Sequence, residues 1–174
     1  MNSEDACKFT DHICRLAPVI PVLVIEDATI AEPLAEALIS GGLPTLEVTL
    51  RSAAALDAIR AMSKVVGATV GAGTLLSGQD VRAAKEAGAV FGVSPGATDN
   101  LLQACEDSDM PLLPGAATAS EVMRLMERGY RMQKFFPAEA SGGVPALQSI
   151  GGPLPQVTFC PTGGIGAVNA PAYL

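Results

Sequence analysis

The fold is decided by residues 19–50, which read VIPVLVIEDATIAEPLAEALISGGLPTLEVTL. An apolar, β-branched run comes first, at Val19–Ile25, and predicts a buried strand. A stretch rich in Ala, Leu and Glu follows at Ala28–Ile39, and it predicts a helix that stops at Ser40-Gly41-Gly42. A second apolar run, Thr45–Leu50, predicts another strand. Strand, helix and strand in about 30 residues are typical of a parallel βαβ unit.

The same pattern recurs along the chain. The apolar runs end 21–25 residues apart, which leaves room for one helix and two short loops in every gap. Further helices are predicted at Gln79–Ala87 and at Thr118–Arg128, where Thr118 and Glu121 have the spacing of a capping box. The seven runs are Val19–Ile25, Thr45–Leu50, Ala68–Thr74, Ala89–Pro95, Pro111–Ala116, Arg131–Pro137 and Val157–Thr162.

Regular βα repeats with no dividing linker predict one α/β domain with a parallel sheet. An open doubly wound sheet would usually carry a glycine-rich dinucleotide turn after its first strand, and Ile25-Glu26-Asp27-Ala28 is not one. Near-uniform spacing instead favours a closed (β/α)8 TIM barrel, in which the carboxyl ends of the strands carry the site. Seven of the eight strands are found before Leu174.

Composition excludes several classes of function. The chain has 174 residues, is 49% hydrophobic and carries a net charge of −7, so it predicts a packed domain and not a nucleic-acid binder. The polar start at Met1–Thr10 argues against a secretory signal, and no apolar stretch is long enough to span a membrane, so we expect a cytoplasmic protein. His12 is the only histidine, and the four scattered cysteines form no metal-binding pair, so neither a metal nor another cofactor is expected.

One lysine lies inside a predicted strand. Lys134 is followed by Phe135 and Phe136 within the sixth apolar run. Apolar surroundings favour a neutral amine, and only a neutral amine attacks a carbonyl to form a Schiff base. A lysine pointing outward between helices is the equally weighted alternative from the strand argument alone.

The second strand has a polar face. Glu47, Thr49 and Arg51 alternate with Leu46, Val48 and Leu50, so the period of two predicts that the first three point into the barrel. Arg51 could bind a carboxylate, and Glu47 could move protons. The alternative is a purely structural Glu47–Arg51 pair.

Glycines collect at four predicted strand ends, in Gly71-Ala72-Gly73-Thr74, Ser94-Pro95-Gly96, Pro114-Gly115-Ala116 and Thr162-Gly163-Gly164-Ile165-Gly166. Successive backbone amides at glycines can bind an anion, and the loops after strands seven and eight are the usual phosphate site of barrels. These positions therefore indicate a phosphate site.

A set of motifs carries a specific resemblance. It consists of LEVTLR at 46–51, VGAGT at 70–74, SPG at 94–96, KFFPAE at 134–139 and FCPTGG at 159–164. In order and spacing, from about Ala17 to Gly166, the sequence resembles the bacterial 2-keto-3-deoxy-6-phosphogluconate (KDPG) and 4-hydroxy-2-oxoglutarate (KHG) aldolases.

The resemblance implies a class I, Schiff-base aldolase of the Entner–Doudoroff pathway, a homotrimer that needs no metal. It would cleave the phosphorylated keto acid to pyruvate and glyceraldehyde 3-phosphate, and KHG to pyruvate and glyoxylate. Lys134 would be the Schiff-base lysine and Glu47 the general acid/base. Arg51 and Thr74 would hold the pyruvyl carboxylate, with Pro95 shaping that pocket.

Four more residues receive roles from the resemblance. Phe136 would pack against the substrate, and Thr162 would influence which face of the aldehyde reacts. Gly163 and Gly164 would bind the distal phosphate.

The resemblance also sets an expectation about the domain. Residues 1–174 would form a single barrel domain with a helical segment at about residues 3–16, and the eighth βα unit would not be in this sequence. We therefore expect a chain shortened relative to the natural protein.

Three alternatives remain open. A barrel without its eighth unit would be catalytically impaired or non-catalytic. An aldolase for the 6-phosphogalactonate analogue would share these motifs. A phosphate-binding isomerase would use a carboxylate and no imine.

Overall fold

Parallel strands form the centre of the molecule. The computed structural model describes residues 3–174 and contains these strands: β1 Val22–Leu23, β2 Thr45–Thr49, β3 Thr69–Gly73, β4 Phe91–Val93, β5 Leu112–Leu113, β6 Gly115–Ala116, β7 Met132–Phe135 and β8 Thr158–Pro161. Each lies within one of the seven apolar runs, because β5 and β6 are two halves of one run on either side of Pro114. The predicted strand positions are confirmed.

Helices alternate with the strands. They are α1 Ser3–Cys14, α2 Ala31–Ser40, α3 Ala55–Met62, α4 Gly78–Ala87, α5 Asp99–Asp107, α6 Ala119–Glu127 and α7 Gly143–Gly151, with 3₁₀ turns at Ala28–Ile30 and Ala170–Ala172. Thr118 caps α6, and its backbone N–H in turn donates to the Glu121 carboxylate, so the predicted capping box is present. In residues 3–174 no helix is long and apolar enough to cross a membrane.

Neighbouring strands along the chain pair in parallel, except that β5 and β6 are parts of one strand run and do not pair with each other. The order is β1 to β5 in one sheet and β6 to β8 in a second. The Leu113 carbonyl accepts a hydrogen bond from Ser94 N, and the next carbonyl, of Pro114, accepts one from Lys134 N, so the fifth strand joins the two sheets. The result is one curved layer of seven strand runs with helices on its outer side.

The two faces of β2 are separated as predicted. Leu46 and Val48 are fully buried in the outer core between strands and helices. Glu47 lies on the other, concave face, where its side chain contacts the side chain of Lys134 from β7. The concave side of the layer is therefore the interior on which a site can be built.

Helix α1 packs at the amino ends of the strands. The Thr45 hydroxyl, at the start of β2, donates to the Ile13 carbonyl over 3.0 Å. Ile13 belongs to a second apolar cluster with four strand residues: Phe91 and Val93 from β4, Leu113 from β5 and Met132, the first residue of β7. The amino-terminal half of the interior is thus filled by apolar side chains.

Candidate active site

Lys134 and Glu47 meet inside the strand layer. Lys134 Nζ donates to Glu47 Oε1 over 3.3 Å, and the two side chains are 6% and 5% exposed. Charged groups this deeply buried are costly unless they are paired or functional. The strand period predicted Glu47 as interior and left Lys134 open between two faces; the structure brings both side chains together.

The strand register puts these groups on opposite sides of the interior. Lys134 lies between Gly115 of β6 and Cys160 of β8, and Glu47 lies between Val22 and Gly71. Neither glycine has a side chain, and the space is taken by the Phe91 ring beside Gly71 and by the Pro95 backbone beside Gly115.

Gly73 makes room for the Glu47 side chain. A Cβ at position 73 would lie 2.8 Å from Glu47 Cγ and 2.9 Å from its Cδ, closer than real Cβ atoms approach their neighbours. The third strand can pass Glu47 only because this residue is glycine.

The surroundings of Glu47 favour the protonated form of its carboxyl. Burial raises the pKa of its carboxyl above the ordinary value, and the Lys134 cation and then Arg51 oppose that rise. Lys134 Nζ also lies 5.3 Å from the centroid of the Phe136 ring, within range of a cation–π interaction. A carboxyl that keeps its proton more readily beside an amine can act as a general acid.

Arg51 lies outside β2, the strand on which the sequence pattern placed it. β2 ends at Thr49, and Leu50 and Arg51 are in the following turn. The Arg51 side chain is exposed, and its Nε donates to the Thr49 hydroxyl over 3.3 Å. Arg51 therefore follows β2 instead of ending it, and its charge still acts on the Glu47 carboxyl, whose pKa it lowers.

The other predicted residues follow the carboxyl ends of several strands. Thr74 comes directly after β3 with a left-handed φ of 63°, and Pro95 lies two residues after β4. Thr162 follows β8, and its N–H donates to the Phe135 carbonyl over 2.9 Å. All three are partly buried and sit at the same end of the layer as Arg51.

The Gly163–Gly164 turn adjoins the end of β7. Their φ angles, +104° and +77°, are in the region that favours glycine. A Cβ at Gly163 would lie 3.3 Å from Phe136 Cδ2, so the turn and that ring are neighbours.

Asn169 is a residue that the sequence reasoning missed. Its Oδ1 accepts from Gly166 N over 2.8 Å, and its Nδ2 donates to the Gly164 carbonyl over 3.0 Å. The side chain therefore ties both ends of the glycine turn together. An Asn shortly after a glycine-rich loop was the available signal.

A separate cavity lies at the opposite end of the strands. It has a volume of about 530 Å³ and lies against α1 and the residues that precede β3, β4 and β5, among them Phe9, Ala68, Val90 and Pro111. It is distant from Lys134 in the fold, so we assign the chemistry to the carboxyl ends. Among residues 3–174 no group of three or more His, Cys, Asp or Glu side chains is placed to hold a metal ion.

Comparison with known proteins gives a consistent result. A family model described as KDPG and KHG aldolase matches residues 10–174. The KHG/KDPG aldolase of Escherichia coli (strain K12) is 52% identical over 165 residues, which are 94% of this chain and 78% of that protein.

Solved structures agree with the sequence match. The crystal structure of the KDPG aldolase of Zymomonas mobilis ZM4 with 3-phosphoglycerate superposes with a TM-score of 0.93 at 52% identity, covering 97% of this chain and 80% of that one. The KDPG aldolase of Legionella pneumophila, with pyruvate captured as a covalent carbinolamine, superposes with a TM-score of 0.89 at 46% identity, covering 93% and 79%. The predicted α/β fold of TIM type is confirmed, and the chain belongs to the KDPG and KHG aldolase family.

Proposed function

We propose that this chain cleaves 2-dehydro-3-deoxy-6-phosphogluconate to pyruvate and glyceraldehyde 3-phosphate through an imine on Lys134. The observation that carries the proposal is the buried 3.3 Å contact between Lys134 Nζ and Glu47 Oε1. An amine and a proton-carrying carboxyl within hydrogen-bond reach are the two groups that this cleavage needs.

The reaction divides into steps that these two groups can perform. The Lys134 amine adds to the C2 carbonyl, and the carbinolamine loses water to give a protonated imine. Glu47 takes the proton from the C4 hydroxyl, the C3–C4 bond breaks, and its electrons move into the imine to give an enamine. The aldehyde leaves, Glu47 returns a proton to C3, and water releases pyruvate from Lys134.

The remaining predicted residues would bind the two ends of the substrate. Arg51 and Thr74 follow adjacent strands and would hold the carboxylate next to C2, with Pro95 beside them. Gly163 and Gly164 would offer backbone N–H groups to the distal phosphate. Phe136 lies between the amine and that turn and would pack on the carbon chain, with Thr162 facing the aldehyde.

Borohydride trapping tests the proposal. The protein is incubated with pyruvate, reduced and digested, and the modified peptide is identified by mass spectrometry. We expect the label on Lys134 and its loss in Lys134→Arg, with Lys64→Arg, a change at an exposed lysine, as the matched control. Folded protein without label would refute the imine and favour a non-catalytic barrel. Isomerisation of a phosphorylated sugar that survives in Lys134→Arg would favour the isomerase alternative, which uses a carboxylate and no imine.

Substrate preference is a separate question. We propose that KHG, which lacks the phosphate, is a second substrate, because the Lys134–Glu47 chemistry does not involve the distal end. Values of kcat/KM measured for KDPG, for its 6-phosphogalactonate analogue and for KHG would rank the three substrates. We expect KDPG to rank first.

We also propose that the protein works as a homotrimer in the cytoplasm. Multi-angle light scattering gives the mass of the assembly in solution, and a mass of three chains is expected. Cell fractionation with an antibody against the chain tests the compartment.

A further inference from the structure

Two cysteines distant in sequence meet beside the candidate site. Cys14 ends α1 and Cys160 lies in β8, and both side chains pack against one apolar cluster, close enough for the thiols to affect each other's pKa. That cluster includes Ile13 and Met132, and both cysteines remain partly exposed. A small oxidant can therefore reach a pair of thiols that the fold has already brought together.

The pair adjoins the reacting lysine. Cys160 is the register partner of Lys134 on the neighbouring strand, so their side chains share the interior face. The Cys160 sulfur also interacts electrostatically with Glu47 and Lys134. A covalent change at Cys160 would thus act directly on the position of the Lys134–Glu47 pair.

The two thiols are not equivalent. The adjacent Cys14 thiol lowers the pKa of the Cys160 thiol, with burial and Glu47 opposing and Lys134 assisting. The same contact raises the pKa of Cys14, with burial in the same direction. Cys160 is therefore the more readily formed thiolate, and Cys14 is the adjacent thiol that can resolve an oxidised partner.

We propose that Cys14 and Cys160 form a redox modification site, at which a hydroperoxide converts the two thiols to a disulfide that joins α1 to β8. The Cys160 thiolate attacks the peroxide oxygen, which gives a sulfenic acid and releases an alcohol or water. The Cys14 sulfur, losing its proton, then attacks the sulfenic sulfur and displaces water. Two electrons pass from the thiols to the peroxide, and a small dithiol restores the two thiols by exchange, becoming a disulfide itself.

The other two cysteines provide an internal comparison. Cys7 lies on the same helix as Cys14, but its thiol donates to the Gly129 carbonyl over 2.8 Å. Cys105 is fully buried in the outer core. The structure therefore favours one pairing among the four thiols.

Disulfide formation should disturb the imine site. The sulfurs must move from non-covalent proximity to a bond of about 2.05 Å, which pulls β8 and the helix end together. A shift of that size next to Lys134 is expected to slow imine formation about 10-fold. This second effect rests on the proposed function, whereas the disulfide itself does not.

Peptide mapping of the oxidised whole protein tests the site. The folded protein is treated with one equivalent of hydrogen peroxide, alkylated and digested without reductant. We expect a peptide that joins Cys14 to Cys160, a loss of two hydrogen atoms in the intact mass, and reversal by dithiothreitol. No cross-link in folded protein, or one through Cys7 or Cys105, would overturn the proposal.

Activity on the same samples tests the consequence. Borohydride trapping with pyruvate should slow about 10-fold after oxidation and recover with dithiothreitol. Cys160→Ala should abolish the recoverable loss while Cys7→Ala retains it, and Cys160→Ser serves if the alanine variant does not fold. An unchanged trapping rate in the cross-linked protein, or the same recoverable loss without Cys160, would overturn the regulatory role. Absence of trapping in the reduced protein would instead reject the proposed function and leave the disulfide result standing.

Discussion

Replacement of Gly73 by alanine tests how the site makes room for its general acid. A Cβ there would lie 2.8 Å from Glu47 Cγ and 2.9 Å from Cδ, and closer still to Oε1. Ordinary contact begins at 3.4 Å, so the carboxylate must move by about 1 Å from its position 3.3 Å from Lys134 Nζ. The backbone at residue 73 does not have the positive φ that an alanine would resist, so the effect is one of space.

The magnitude follows from the displacement. A catalytic group misplaced by about 1 Å can lower a rate about 100-fold. An extra methyl in a packed interior also costs about 1–3 kcal/mol of stability. We therefore expect Gly73→Ala to fold, to be somewhat less stable, and to cleave KDPG about 100-fold more slowly, measured as kcat in a coupled pyruvate assay.

Gly92→Ala is the matched control for overpacking. A Cβ at this position would press on Leu75 and lie 3.3 Å from Leu112 Cδ1, both in the outer core and away from Glu47. It should lower the free energy of unfolding in urea while kcat stays within a few-fold of the parent. A Gly73→Ala protein with kcat near the parent value, or equal losses of kcat in both variants, would refute the steric argument.

Three further predictions concern Glu47, Asn169 and Thr118. Burial raises the pKa of Glu47 above its ordinary value of 4.5. The parent protein should therefore gain most in unfolding free energy over Glu47→Gln below pH 4.5, and this gain should fall as the pH rises through the folded-state pKa. Urea denaturation across pH measures the gain, and a gain that grows with pH would contradict burial as the dominant cause. Asn169→Ala removes two hydrogen bonds from the glycine turn. It should raise KM for KDPG about 10-fold while the rate of pyruvate trapping is unchanged. Equal increases in KM for KDPG and KHG would exclude a role at the phosphate end. Thr118→Ala removes the α6 cap and should cost about 1 kcal/mol in urea denaturation with kcat intact, and a loss below about 0.3 kcal/mol would mean that the helix end is held by its packing.

The alternation of apolar and polar residues in a strand predicts which face of the sheet a side chain occupies. Glu47 alternates with Leu46 and Val48, and the apolar neighbours are fully buried in the outer core, so only one face was available to the carboxyl. Lys134 lies between Gln133 and Phe135, which are both fully buried, and the strand period alone left its face open. The position of Glu47 could be read from one period, whereas the role of Lys134 came from the resemblance.

Contacts that depend on tertiary structure could not be read in the same way. Arg51 fits the period of two, but β2 ends at Thr49, and a strand end is decided by its neighbours. The contact of Cys14 with Cys160 depends on how α1 packs under the strands. No local pattern encodes a pairing between residues so far apart in the chain.

The interior of the strand layer has two chemically different halves. Met132 of β7 belongs to the apolar cluster, and two residues later on the same face Lys134 pairs with Glu47. A buried ion pair is weak support for stability, because apolar side chains of similar volume in its place are often neutral or better. Glycine in a strand weakens it, and here it lets other groups approach the backbone closely: the Phe91 ring at Gly71, the Glu47 side chain at Gly73 and the Pro95 backbone at Gly115. The amino-terminal half therefore supplies packing, whereas the carboxyl-terminal half holds buried charge that stability does not require, as expected where a keto acid binds and reacts.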